Sequence, residues 1–277
     1  MAKATYLLGQ DSTTDVTVSA FTEAVWSSLS VEVSGGGEGS GIDNVTGSDD
    51  TTSKFQTRVP EWKIQTAGWL FDTGANVYAR SNEITLAFQN LNLRAMEWEV
   101  TRAWPLEDVT GSGDTTTHRT YVSGMPVTML RAKCVALASG PDMHLDTTDA
   151  GSVTATMDLF GTLTSAGNAA GHPVVRTRKL QTQYRGGKVG VEVEIIFSGA
   201  LTYTVASTNP ADMSAFFGAA TTAPRNDLSI KFSGGDAFTS PTGNALGKAI
   251  VERVTVMGTR RAGGGMRVIM AHRFDGD

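Results

Sequence analysis

The chain has little of two side chains that build structural metal sites: one cysteine, Cys134, and four histidines in 277 residues. A lone thiol forms no intrachain disulfide, and with one cysteine and four scattered histidines the chain has too few ligands for the usual structural zinc sites, which use at least two cysteines. Cys134 lies in the apolar run Val127–Leu137, where a buried, inert thiol is the commoner reading than a reactive one. No stretch approaches the roughly 18 apolar residues of a membrane span. No hydrophobic targeting core follows Met1-Ala2-Lys3-Ala4-Thr5, so the expectation is a soluble product made in a cytoplasm. Without a secretory signal, the glycosylation pattern Asn44-Val45-Thr46 carries no weight.

Catalytic and nucleotide-binding signatures are equally scarce. Gly187-Lys188 and Gly247-Lys248 are followed by Val189 and Ala249, so there is no P-loop. The run Gly35–Gly41 is no dinucleotide fingerprint, because Ser40 and Ile42 fall where its third glycine is needed and no helix follows. No Gly-x-Ser-x-Gly elbow occurs. The segment Asp142–Asp149 offers oxygen ligands around His144, but it lacks the central Gly and terminal Glu of a calcium loop and reads as an exposed turn. Glu97 and Glu99, like Glu192 and Glu194, stand two apart on strand-like segments. A glycosidase pair is one reading; a solvated strand face explains both more simply, since alternation already demands polar residues there. Trp62, Trp69, Trp98 and Trp104 could form an aromatic platform, although core or subunit-interface packing is commoner. No enzyme, cofactor or metal is expected.

Charge is sparse, at 18% Asp, Glu, Lys and Arg, with a net charge of -5, which argues against a protein that coats nucleic acid with clustered cations. Its distribution says more. Residues 1–165 hold 10 Lys+Arg against 20 Asp+Glu (-10), and residues 166–277 hold 13 against 8 (+5). An acidic half is joined to a basic half, which can steer copies together or simply reflect two solvated surfaces. Arg253, Arg260, Arg261, Arg267 and Arg273 gather near the C-terminus without interleaved aromatics. Salt bridges to neighbouring copies suit them better than nucleic-acid reading.

What the chain does have is strand and turn chemistry, and the expected fold is mainly β. Asn82-Glu83-Ile84-Thr85-Leu86-Ala87-Phe88 is echoed 144 positions later by Asn226-Asp227-Leu228-Ser229-Ile230-Lys231-Phe232, each with every second residue apolar. Strands are expected at Trp62–Phe71, Leu93–Thr101, Val127–Leu137 and Val153–Phe160. Hairpins are expected over Lys179–Phe197, around Gly186-Gly187, and over Ile250–Phe274. Phe21, Val25 and Leu29, with Ser19 as cap, suggest a short helix; a strand through Val31 and Val33 is the alternative. Asn209-Pro210-Ala211-Asp212 predicts a helix over 210–218. Residues 34–58 have almost nothing apolar to bury and read as a long polar loop. Thr110–His118 is another polar loop.

The halves share an order of elements. Trp62–Phe71 answers Val189–Phe197, the echoed strands answer each other, Gly124–Leu137 answers Gly247–Met257, and Val153–Phe160 answers Met266–Phe274. With Ser165–Pro173 as linker, the expectation is two tandem β-sandwich or half-barrel domains, 1–165 and 166–277, with one or two short helices.

The pattern Gly247-Lys248-Ala249-Ile250-Val251-Glu252-Arg253-Val254-Thr255-Val256, a glycine turn, a closing strand, and the long loop between Val33 and Trp62 together resemble the tail tube proteins of tailed bacteriophages. That resemblance implies a small β-sandwich or half-open barrel with one helix on its flank, whose sheets join around a ring. It implies a virion protein made in the host bacterium. Its partners would be its own copies in stacked homotrimeric or homohexameric rings, other phage tail proteins, and genomic DNA passing through without specific binding. A duplicated version would let three chains imitate a six-domain ring. The inter-ring role of the long loop would fall to Gly35, Gly36, Gly37, Asp49, Asp50, Lys54 and Arg58, and an inter-subunit charge patch to Arg253, Arg260, Arg261 and Arg267. Another virion component, such as a capsid decoration or head–tail connector protein, and a carbohydrate-binding or hydrolytic β-sandwich remain alternatives.

Overall fold

The computed structural model describes residues 15–18, 24–34, 42–44, 47–49, 51–53, 55–57, 61–72, 77–78, 84–88, 91–111, 119–136, 146–147, 153–157, 160–165, 174–184, 188–197, 201–205, 213–218, 221–231, 248–259 and 266–274. In chain order its strands are β1 (Asp15–Val18), β2 (Ala24–Ser34), β3 (Ile42–Asn44), β4 (Phe55–Thr57), β5 (Glu61–Asp72), β6 (Val77–Tyr78), β7 (Ile84–Phe88), β8 (Leu91–Ala103), β9 (Leu106–Asp108) and β10 (Tyr121–Ser123). Then come β11 (Val127–Ala136), β12 (Asp146–Thr147), β13 (Val153–Met157), β14 (Gly161–Ser165), β15 (Val174–Tyr184), β16 (Lys188–Phe197) and β17 (Leu201–Val205). Helix α1 (Ser214–Phe217), β18 (Arg225–Lys231), β19 (Lys248–Thr259) and β20 (Arg267–Phe274) complete the described chain. The fold is mainly β.

Eight long strands form the body in the order β15-β16-β11-β8-β19-β20-β5-β2, with short β12 beyond β15. Every neighbouring pair is antiparallel. Alternation gives each strand one apolar face, and register aligns those faces. Ile195, Leu130, Val100, Val256 and Val268 stand opposite one another across five successive strands, and all five are 0% exposed. Fully burying each such side chain contributes about 1.5–3 kcal/mol, so this row anchors the sheet.

Hairpins from before and after residue 165 alternate across the sheet, and its order reads alike from either end. The hairpins β15-β16 and β2-β5 occupy the two ends, and β8 lies beside β19 at the centre. Register makes the likeness detailed. The pairing of β11 with β8 skips Met96, and that of β20 with β19 skips Glu252. Each bulge lies four residues before Val100 or Val256, which pair directly with each other. At each bulge the strand changes partner: β8 passes from β7 to β19, and β19 from β18 to β8. A bulge bends and twists its strand, which is how one strand serves two layers.

The second layer runs β7-β13-β14-β17. Phe160, between β13 and β14, packs on Trp98 of the main sheet at 5.8 Å between ring centroids, on Tyr203 at 5.3 Å and on Phe217 of α1 at 5.2 Å. The Tyr203 hydroxyl donates to the Phe160 carbonyl. Arg102, buried on the core face, donates to the Gly218 carbonyl at 2.7 Å and lies 5.3 Å from the Trp104 ring. Burial lowers its pKa.

Several expectations change. Ser19–Leu29 holds no helix in its described part: β2 starts at Ala24. The polar loop 34–58 contains a hairpin, β3 with β4. The predicted helix 210–218 begins at Ser214 instead; Met213 takes its N-cap position without a side-chain hydrogen bond, and Asn209–Asp212 lie outside the described residues. Val153–Phe160 does not occupy the place of Met266–Phe274, since β13 belongs to the second layer and β20 to the main sheet. Gly124–Leu137 contains β11, whose mirror position in the strand order is that of β20 rather than β19.

Candidate assembly surfaces

Among the described residues, the main sheet ends in two long strands whose outer edges are largely unpaired. Among the described residues, β2 pairs only with β5, and the outer edge of β15 is covered only at Val175 and Arg176 by β12. Both are 11 residues long. A long unpaired edge is a row of unmatched N–H and C=O groups, a template for another chain. Because eight antiparallel strands separate these edges, β2 and β15 run in opposite directions. Rotation about an axis along the strands therefore brings the β2 edge of one copy antiparallel to the β15 edge of the next. An odd number of strands would have made that joint parallel.

The face turned away from the core mixes apolar side chains such as Met129, Ile196 and Ile269 with charged ones set in rows. Arg131 donates to Glu194 at 2.8 Å, and Lys133 to Glu97 at 3.1 Å. Glu97 and Glu99 on β8, and Glu192 and Glu194 on β16, thus flank the Arg131 and Lys133 of β11. This places the paired acids in a charge ladder. Described cations and anions on this face nearly balance, so the local charge is not the acidic excess of the N-terminal half. Arg273 donates two bonds to Glu252, at 2.9 and 3.0 Å, and another to Glu61. Burial lowers its pKa, but those bonds and charges outweigh it and the net shift is upward. Its charge is used within the chain.

Arg253 and Arg267 are exposed on adjacent strands of this face. They are not together: Arg253 stands opposite Ala103 and Ala271, Arg267 opposite Met257 and Trp69. Arg260 and Arg261 lie outside the described residues, as do Gly35, Gly36, Gly37, Asp50, Lys54 and Arg58. Asp49 is exposed in the turn between β3 and β4. The tryptophans form no platform: Trp98 and Trp104 are in the core, Trp62 packs against it, and Trp69 is 40% exposed. Cys134 is buried, and burial pushes its thiol up to about 12. Among the described residues no cluster of His, Cys, Asp and Glu could hold a metal ion.

Sequence reading passed over one surface. Val122, Met125 and Val127 are exposed on and beside the short hairpin of β9 with β10. Their signal was faint, because Val122-Ser123-Gly124-Met125-Pro126-Val127 reads as an ordinary approach to a strand. No family profile, curated protein or solved structure matches the chain.

Proposed function

We propose that this chain is a structural protein of a tailed-phage virion that assembles into stacked rings forming the tail tube, a conduit for DNA. The observation that carries this reading is the eight-stranded sheet whose two end edges run in opposite directions and, among the described residues, are left unpaired over most of their length, with rows of paired charges on the outward face. Closing such sheets edge to edge removes every free edge, the usual reason barrels form. The face turned away from the core then lines the lumen and the second layer lies outside. Three copies supply 24 strands from eight each, a circumference of about 115 Å at roughly 4.8 Å per strand. That corresponds to a backbone radius of about 18 Å before strand tilt widens it, enough for a DNA duplex; six copies would double it. Cations of that face that are held by carboxylates give passing phosphates little to grip.

The matching strand orders and the bulges at Met96 and Glu252 support two copies of one ancestral unit, intertwined rather than side by side. The copies face opposite ways along the strands, so the repeating unit of the ring is the whole chain. The carbohydrate reading has less support, since Trp98 and Trp104 are buried and Glu97 and Glu194 are ion-paired. Negative-stain microscopy of the purified protein tests the proposal: stacked rings with an open centre are expected, and a monomer at every concentration would overturn it.

A further inference from the structure

Among the described residues, four of the five large hydrophobic side chains left exposed are at one end of the sheet: Val109 (46%), Val122 (55%), Met125 (71%) and Val127 (49%). Val109, Val122 and Met125 belong to the arm that links β8 to β11, and Val127 is the first residue of β11 at the arm's end. The fifth, Trp69 (40%), lies toward the other end, opposite Arg267. The arm's base is fixed. Trp104 and Tyr121 are buried, the Trp104 N–H donates to the Glu252 carbonyl at 2.9 Å, and the Ala223 N–H donates to the Ser123 hydroxyl at 2.9 Å. What projects from that base is apolar, beside the exposed Glu107.

The hairpin connections between neighbouring strands of the sheet differ at its two ends. From the first end leave the long connections β2 to β5 (35–60) and β8 to β11 (104–126); at the other, β15 to β16 spans only 185–187 and β19 to β20 only 260–266. In sequence the long connections carry 7 acids against 3 bases, and the short ones 3 bases and no acid. Like ends therefore repel and unlike ends attract.

We infer that the arm is one half of a head-to-tail interface between copies of this chain. Val122, Met125 and Val127 seat against Trp69 at the short-turn end of the next copy, and Glu107 faces its Arg267. Methionine against an indole edge is a favourable pairing, and a heterologous contact of this kind propagates without limit along an axis. The inference rests on the ring-forming reading and adds the direction and chemistry of stacking.

Two double variants test it: Val122→Asp with Met125→Asp on the arm, and Trp69→Ala with Arg267→Glu on the receiving end. All four side chains are exposed, so melting curves should match wild type; the milder Val122→Thr with Met125→Ser replaces an arm variant that melts early. Each variant alone should give rings with stacking reduced roughly tenfold or more, equivalent to about 1.4 kcal/mol per ring-to-ring interface. Preformed rings of the two variants, mixed, should give pairs of rings and nothing longer, because one intact arm meets one intact receiver. Stacking of either variant at the wild-type level, or a mixture that stays unpaired, overturns the arm while leaving ring formation standing. A wild-type chain that never forms rings overturns both.

Discussion

Proline at Ser30 or at Val31 of β2 is expected to abolish ring formation at one of the two positions while leaving the monomer folded. In an antiparallel strand the N–H groups of neighbouring residues point to opposite sides. One of this adjacent pair therefore serves the ladder to β5, where Ser30 pairs with Gln65 and Val31 with Ile64, and the other points to the open edge. Proline removes one N–H and fixes φ. At the inward position it costs a ladder bond, about 1–3 kcal/mol of monomer stability. At the outward position the monomer loses nothing, but the edge can no longer template a neighbour. Sedimentation velocity should find that variant monomeric where wild type assembles. Two variants that assemble as well as wild type would remove β2 from the interface.

Acid should weaken the fold through His272. Its side chain is 1% exposed on the core face, opposite Ile64 and Val251, and neither ring nitrogen has a hydrogen-bond partner. Burial pushes its pKa from 6.5 down to about 4. The folded value lies below the unfolded one, so the folded state resists taking up a proton that the unfolded chain accepts. Stability is fully present above pH 6.5 and falls as pH drops through 6.5 toward 4. Across that interval the loss amounts to about 3 kcal/mol, a large share of the roughly 5–15 kcal/mol that holds a domain together. Urea denaturation of wild type and His272→Leu across this range provides the check. The leucine variant should lack the acid-dependent component and be at least as stable at neutral pH, because it buries no unmatched nitrogen. An unchanged slope in the variant would assign the acid sensitivity elsewhere.

The strongest alternations in the sequence became its long hairpins. Val189–Phe197 and Met266–Phe274 lie within or along β16 and β20; Gly186 and Gly187, between β15 and β16, lie outside the described residues. Ser19–Leu29 was ambiguous for a physical reason. Val25 and Leu29 are four apart, a spacing that helix and strand both allow, and the bulge at Ser27 breaks the two-residue phase that would have chosen between them. The echoed strands did become β7 and β18, each paired to the long strand that follows. Their alignment, however, is not the verbal one. Just before its bulge β8 sets Ala95 against Ile84, whereas β19 sets Val251 against Pro224, its N–H donating to that carbonyl. Ile84 thus stands where Pro224 does, four residues out of step with the Leu228 of the echo, and an even slip keeps the same face. Letters recorded the alternation; register was fixed by bulges, which have no letter. The assembly edges were illegible for a similar reason, since an open edge belongs to strand order rather than to any residue.

Cysteine pairs across the proposed joint test the central claim most directly. The only native thiol, Cys134, is buried and held protonated, so it will not interfere. Ser30 and Glu32 on β2, and Lys179 and Gln181 on β15, are all exposed, and paired strands bring facing residues within disulfide reach. Of the four double variants joining one residue of each strand, at least one should form intermolecular disulfides on mild oxidation. The products should form a ladder that ends at a closed covalent ring, which three copies would complete. If rings assemble while none of the four pairs cross-links, the chain does not close through β2 and β15, and the account of its assembly is wrong.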